Sequence, residues 1–143
     1  MSRRHVTRRP PRAHLDPVAD ATDALALFDF AMHQPMRPEV IAVLLDASGR
    51  GGTIVVVTDA DDPDAVVAVV ETMSLAAQAD DQLCRLVVAT VRPCGATQQG
   101  DVDRWLEASA IADAHGVELI EWFVIGPAGP ECPRDLLGEP ERW

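Results

Sequence analysis

Few residues of this sequence have the types and spacing that catalysis requires. Cys94 follows Pro93 in an irregular segment after an apolar run, where a nucleophilic thiol could lie, and His115 could act as its base. Their spacing does not bring the two residues together, and an imidazole at the end of a helix also suits the helix dipole. A thiol enzyme is therefore an alternative rather than the main prediction.

Four neighbouring aspartates could in principle bind a divalent cation: Asp59, Asp61, Asp62 and Asp64. The cluster lacks the glycine and the terminal Glu of a calcium-binding loop, and it directly precedes a segment with helical periodicity. Acidic residues are favoured in the first turn of a helix by the helix dipole. The cluster is therefore interpreted as the start of a helix.

The three cysteines, Cys84, Cys94 and Cys132, are odd in number and have the spacing of neither a disulfide framework nor a metal clip. Free cysteines of this kind are typical of a reducing compartment, so we predict a cytoplasmic protein. No cofactor is predicted.

The charge distribution separates a basic start from an acidic remainder. The chain holds 12 basic and 23 acidic residues, for a formal net charge of -11. An acidic body repels phosphate backbones, which argues against nucleic acid as its main ligand. Weak nucleic-acid binding is expected only from the arginines near the first residue: Arg3, Arg4, Arg8, Arg9 and Arg12.

The elements that must position these residues follow from apolar periodicity. A first helix is predicted from Pro17, with Asp16 as its cap, until Pro35 and Pro38 stop it. Two β-prone runs joined by a glycine-rich turn predict a hairpin. The order is α-β-β-α-β-α-β, in which the later elements are strands at 40–45 and 53–58, a helix from 62, a strand at 86–91, a helix at 101–115 closed by Gly116, and a strand at 117–125.

The length of 143 residues suits one α/β domain with a single core. We expect a disordered basic arm over residues 1–15, a folded domain over 16–126 and a proline-rich tail over 127–143 that runs irregularly over the surface. No apolar run reaches the roughly 18 residues that cross a bilayer, so no membrane partner is predicted.

Three segments resemble the C-terminal JAB/MPN-type domain of the RadC family: 86–95 (LVVATVRPCG), 100–103 and 116–126. In that family a strand ends in His-x-His-Pro-Ser-Gly, a Ser and an Asp follow at fixed spacing, a helix ends in Gly, and a strand closes with Ile-Gly. The segment 37–46 resembles the family's opening, which contains Pro-x-x-Glu. The matching positions are Pro93, Gly95, Asp103, Gly116 and Ile125-Gly126.

The resemblance implies a single three-layer α/β domain of the JAB/MPN (cytidine-deaminase-like) type with a mixed central sheet. It also implies a zinc ion held by two His and one Asp, a Glu that activates water and a Ser that stabilises the oxyanion. In this sequence Thr90 and Arg92 stand at the two His positions and Gly100 at the Ser position. Only Asp103 and Glu39 remain of the site, and Arg is a permanent cation that repels a metal.

We therefore predict a non-catalytic pseudo-enzyme that acts as a protein-binding or scaffolding module and could form a homo-oligomer. Arg92 is expected to replace the metal as the positive charge facing Asp103 and Glu39. Trp122, at another His position of the pattern, is expected in the core together with Trp105 and Phe123. The alternatives are a metal- or thiol-dependent peptide or isopeptide hydrolase, and a DNA-repair-associated accessory protein that uses the arginine arm.

Overall fold

Nine helices and strands follow one another along residues 9–143, which are the residues that the computed structural model describes. They are α1 (Ala21–Ala31), β1 (Glu39–Asp46), β2 (Thr53–Thr58), α2 (Ala65–Ala77), β3 (Leu83–Val91), α3 (Asp101–Ala114), β4 (Glu118–Gly126), β5 (Gly129–Glu131) and α4 (Pro133–Leu136).

The strands form one mixed sheet in the order β2-β1-β3-β4-β5. β1 pairs antiparallel with both β2 and β3, β3 pairs parallel with β4, and β4 pairs antiparallel with β5. The predicted α/β class and mixed sheet are therefore confirmed, as is the β1–β2 hairpin. The parallel β3–β4 pair needs a crossover, and α3 provides it.

Both faces of the sheet are buried at its central strands, which explains why β1 and most of β3 are apolar. Successive side chains of β1 point to opposite faces. Val40, Ala42 and Leu44 join a core with α2 and α3, whereas Ile41, Val43 and Leu45 join a core with α1. The aromatic residues predicted for the core are there: Trp105, Trp122 and Phe123 are all buried.

The predicted start of the first helix at Pro17 is wrong. α1 begins at Ala21, and Asp20 is its N-cap, accepting a hydrogen bond from the Asp23 amide at 2.9 Å. The Asp16 carboxylate instead accepts hydrogen bonds from Arg12, and the Val18 amide donates to Gly49 O at 2.7 Å. Residues 16–19 are thus held against the hairpin turn and reach the helix only afterwards.

The prediction of an irregular C-terminal tail is also wrong, because β5 and α4 lie within it. Pro133 occupies the first turn of α4, where a missing amide hydrogen costs nothing. Beyond α4, the Arg142 guanidinium lies 4.5 Å from the centre of the Trp105 ring and donates to Leu119 O at 2.8 Å. These contacts fix the end of the chain on α3 and β4.

No helix within residues 9–143 combines the length and the apolar character that crossing a membrane demands.

Candidate functional site at the end of the third strand

The loop 92–100 leads from the end of β3 to the start of α3 and contains Arg92 and Gly100, two of the positions that the resemblance assigns to the metal site. Its backbone remains attached to the sheet, since the Arg92 amide donates to Ile125 O at 2.8 Å. The loop also packs tightly on Gly126, where a Cβ atom would lie 1.8 Å from Gly95 O. Glycine at 126 therefore permits the loop to close over the end of the sheet.

Asp101, the first residue of α3, is the buried centre of this site. Its carboxylate accepts hydrogen bonds from Arg92 Nη1 at 2.6 Å and Arg92 Nη2 at 3.0 Å, a bidentate pair. It also accepts from the Gln98 amide at 2.6 Å and from Arg104 Nη1 at 2.8 Å. We call Arg92, Asp101 and Arg104 the Asp101 cluster.

The hydrogen bonds decide the charge of Asp101. Burial by itself raises the pKa of this carboxyl, but the hydrogen bonds from Arg92, the Gln98 amide and Arg104 outweigh burial and hold the pKa below its usual value of 3.8. The carboxylate also lies in the first turn of α3, where the helix dipole favours negative charge. Asp101 is therefore ionised at neutral pH, and both of its carboxylate oxygens accept hydrogen bonds.

Arg104 connects the Asp101 cluster to the second helix. Its Nε donates to Asp64 Oδ1 at 2.8 Å, just before α2 begins. Asp64 belongs to the run of aspartates that precedes that helix, and all four of them, including Asp59, Asp61 and Asp62, are exposed. Within residues 9–143, no group of three or more His, Cys, Asp or Glu side chains is placed to hold a metal ion.

Thr90 and Trp122 fill the sheet beside the cluster. Both residues are buried, and Trp122 Nε1 donates to Thr90 Oγ1 at 2.9 Å across the β3–β4 pair. The hydroxyl and the indole satisfy each other, so burying them costs little. Two positions at which the resemblance has imidazoles thus form one hydrogen-bonded core contact.

Glu39 does not reach this site. It pairs with Val91 at the start of β1, and its side chain points to the α1 face of the sheet, opposite to the face that holds Thr90 and the Asp101 cluster. There the buried carboxylate accepts hydrogen bonds from the His33 ring and from the His33 amide, the latter at 3.2 Å. The expected contact between Glu39 and Arg92 is therefore absent.

Asp103 does not reach the site either. It lies exposed on α3, and Arg92 pairs with Asp101 instead. Gly100 precedes α3 in the left-handed region at φ 92°, and a Cβ there would lie 3.1 Å from Arg104 Nη1. The prediction that Arg92 faces Asp103 and Glu39 is therefore wrong, because its partner is Asp101.

The basic arm can be followed only in part. Arg3, Arg4 and Arg8 lie outside the described residues, whereas Arg9 and Arg12 are exposed. Arg12 forms an ion pair with Asp16 at 2.8 Å, and its hydrogen bonds lower the pKa of Asp16 to about 2. Residues 12–16 form a turn, and the His14 amide donates to Gly51 O at 3.0 Å.

Cys94 and His115, the two residues of the thiol alternative, do not lie close together in the fold. Cys94 is exposed in the loop before α3, whereas His115 follows the last residue of that 14-residue helix, so the two lie at opposite ends of it. The helix is roughly 20 Å long. His115 Nδ1 contacts Ile111 O at 2.8 Å. Burial, together with the charge of Glu121, raises the pKa of the Cys132 thiol to about 12 and makes it a poor nucleophile.

A second buried ion pair was not predicted. Arg134 Nε on α4 donates to Glu121 Oε2 on β4 at 2.8 Å, and both side chains are nearly inaccessible. In the sequence, Glu121 was visible only as one of two acids, with Glu118, in an otherwise apolar strand. Beside the pair, an open groove of about 450 Å³ lies between α1 and α4, and Leu25, Phe123, Cys132 and Leu136 are among the residues that line it.

Comparison with known proteins identifies no family for the chain, because no protein-family model and no curated protein matches it.

Proposed function

We propose that this protein is a non-catalytic relative of the RadC JAB/MPN domains that acts by binding another protein. One observation carries the proposal. At the end of β3, where the resemblance implies zinc ligands, Arg92 is paired with the buried Asp101, and Thr90 is hydrogen-bonded to Trp122. The two side chains at the implied His positions thus bind other protein groups, which supports the proposal.

The chemistry of the substitution supports a loss of catalysis. A catalytic zinc ion keeps one coordination position open for water and lowers the pKa of that water. A guanidinium also balances a carboxylate, but it has no open coordination position and activates no water. The Asp101 cluster thus supplies the charge balance of a metal site without its reactivity.

The architecture is compatible with the proposed relationship. The resemblance implies a three-layer domain with a mixed central sheet, and this chain has a mixed sheet with α1 on one face and α2 and α3 on the other. The loop that carries Pro93 and Gly95 follows the central strand β3, and Gly116 follows α3 at φ 75°. The placement of these residues supports the proposal of a common fold.

A protein partner would fit the groove between α1 and α4. Leu136 on its rim is 65% exposed, the half-buried Leu25 supplies further apolar surface, and the buried Phe123 lies at its base. Polar groups, including Thr97 and Glu131, lie at its side, where the Thr97 hydroxyl and amide both donate to Glu131 Oε1. An apolar floor with a polar rim is typical of a surface that receives a side chain of another protein.

The zinc content of the purified protein tests the loss of catalysis. We expect fewer than about 0.1 zinc ions per chain, because the carboxylates of Asp103 and Glu39, the two implied site residues that the sequence retains, do not point to a common place. Elemental analysis of the untagged full chain, purified without chelator and then dialysed against zinc, measures this. A content near one zinc per chain that disappears in Asp103→Ala would contradict the proposal.

The groove can be tested with peptides. We expect a phage-displayed library of random peptides, selected on the immobilised full chain, to yield apolar sequences. Leu136→Asp should weaken their binding about tenfold or more, because burying a leucine contributes roughly 1.5–3 kcal/mol. The matched control is Leu106→Asp, since Leu106 is a 46% exposed leucine on α3 that does not line the groove. Equal losses in both variants would exclude the groove as the binding surface.

A further inference from the structure

The outer edge of β2, the first strand of the sheet order, is not paired with any strand among residues 9–143. β1 covers one side of β2, and β2 is the terminal strand of the sheet. Apart from the β1–β2 ladder, no backbone hydrogen bond among residues 9–143 involves residues 53–58. The outward-facing amide and carbonyl groups of β2 therefore form a row that another strand could pair with.

The opposite edge is protected in ways that β2 is not. β5 is only three residues long, contains Pro130 without an amide hydrogen, and leads directly into α4. β2 is six residues long, pairs with β1 without a register shift, and contains no charge, proline or glycine. Natural proteins usually interrupt an edge strand with one of these features.

The side chains of β2 favour pairing as well. All six residues, Thr-Ile-Val-Val-Val-Thr, are β-branched, the type that packs best on a pleated surface. Ile54 and Val57 are each 37% exposed, although each is large and apolar. A further strand against this edge would cover both.

We propose that β2 pairs antiparallel with β2 of a second copy of the chain, about a two-fold axis, and joins the two sheets into one. In such a pair, residues on the same face of the two strands oppose each other. An axis at Val55 sets Val55 against Val55 of the second copy, Ile54 against Val56, and Thr53 against Val57. Every opposed pair is then β-branched, and no charge is buried.

Charges at the ends of β2 favour a second copy over an unrelated strand. Arg50 lies before the strand, in the hairpin turn, and three exposed aspartates follow it: Asp59, Asp61 and Asp62. The same turn begins at Asp46, whose carboxylate accepts a hydrogen bond from the Arg50 amide at 3.0 Å. An antiparallel two-fold pair brings Arg50 of each strand beside the three aspartates of the other and keeps the two groups of aspartates apart. A parallel pair would instead align the acidic ends and repel.

The dimer should depend on concentration. Pairing of six residues along one edge buries less than the roughly 1,200 Å² that is usual for a stable complex. The inference concerns the sheet edge alone, so it stands whether or not the domain is a pseudo-enzyme.

Sedimentation velocity of the full chain at increasing concentration tests the proposal. We expect the mass to rise from that of the 15.4 kDa chain towards twice this value. Val57→Lys should raise the dissociation constant about tenfold or more, because the lysine would have to be desolvated at the interface. Leu106→Lys, the same kind of change on α3, should leave it unaltered. A monomer at all concentrations, or a dimer insensitive to Val57→Lys, would overturn the proposal.

Hydrogen exchange of the unaltered protein gives a second measurement that needs no variant. We expect the outward-facing amides of β2 to be protected at high protein concentration and to exchange faster on dilution. Amides that exchange rapidly at every concentration would refute the dimer. Amides protected at every concentration in a monomeric protein would refute it too, and would assign the edge to another part of the same chain.

Discussion

Arg92→Ala is expected to lower the free energy of unfolding by about 3 kcal/mol, because it removes one partner of a buried ion pair. The Asp101 carboxylate would then remain buried with Arg104 and the Gln98 amide as its donors. This partial compensation sets the expected loss at the lower end of the usual range for such changes. Urea denaturation followed by circular dichroism measures the difference.

Two further variants separate the buried pair from a general effect of mutation. Adding Asp101→Asn to Arg92→Ala should recover part of the loss, since the uncompensated charge is then removed. Asp103→Asn changes an exposed aspartate of the same helix and should alter stability by less than about 0.5 kcal/mol. A large loss of stability in Asp103→Asn, together with a small loss in Arg92→Ala, would contradict the pairing of Arg92 with Asp101 and favour Asp103 as its partner.

The pH dependence of stability should report the same carboxylate. The pKa of Asp101 in the folded protein lies below its usual value of 3.8, so its stabilisation is complete above that value and is lost as the pH falls through the folded pKa. Asp101→Asn should therefore cost most at pH 7 and progressively less below about pH 4. A difference from the unaltered protein that does not change between pH 7 and pH 3 would contradict this assignment.

Arg134→Ala is expected to have the largest effect, about 3–5 kcal/mol, because it leaves the Glu121 carboxylate buried without a cation. Glu121 is 1% exposed, and the Trp122 amide also donates to its carboxylate, at 3.1 Å. The change also removes the bond from Arg134 to Glu139 O that holds the end of the chain. Thermal unfolding should show a drop of roughly 10 °C.

The chain contains a matched control for this pair. Arg85 on β3 and Glu118 on the neighbouring strand β4 form an ion pair of 3.9 Å, and their side chains are 24% and 51% exposed. Arg85→Ala should cost less than about 1 kcal/mol, since solvent screens an exposed pair. The double variant Arg134→Met with Glu121→Leu should recover most of the loss, because apolar residues often replace a buried pair without penalty. No recovery would mean that packing rather than charge explains the effect.

The sequence alone determined the elements whose signals are local. The glycine-rich turn between two β-prone runs indicated the hairpin, because positive φ values are easy for glycine. Helical periodicity closed by Gly116 indicated α3, and burial of the few aromatic residues followed from their apolar area. Each of these depends on residues that are close along the chain. The start of α1 was misplaced because Asp16 and Asp20 are both acceptable caps, and contact with the hairpin turn decided between them.

The site depended on relationships that only the tertiary structure supplies. Two residues along a helix turn the side chain by about 200°, so Asp101 faces Arg92 whereas Asp103 faces solvent. The position at which α3 begins relative to the end of β3 decides which of these two carboxylates is buried. Likewise, the register that pairs Glu39 with Val91 sends its side chain to the opposite face from Thr90. A shift of one residue would have reversed this placement.

The end of the chain shows the same limit. Its prolines indicated an irregular tail, because proline interrupts both helices and strands. Arg134 nevertheless lies in a short helix, since a buried carboxylate on β4, 13 residues earlier, requires a cation. That requirement exists only after the sheet has formed and Glu121 has lost its water, which is why tertiary structure, and not local sequence, decided it.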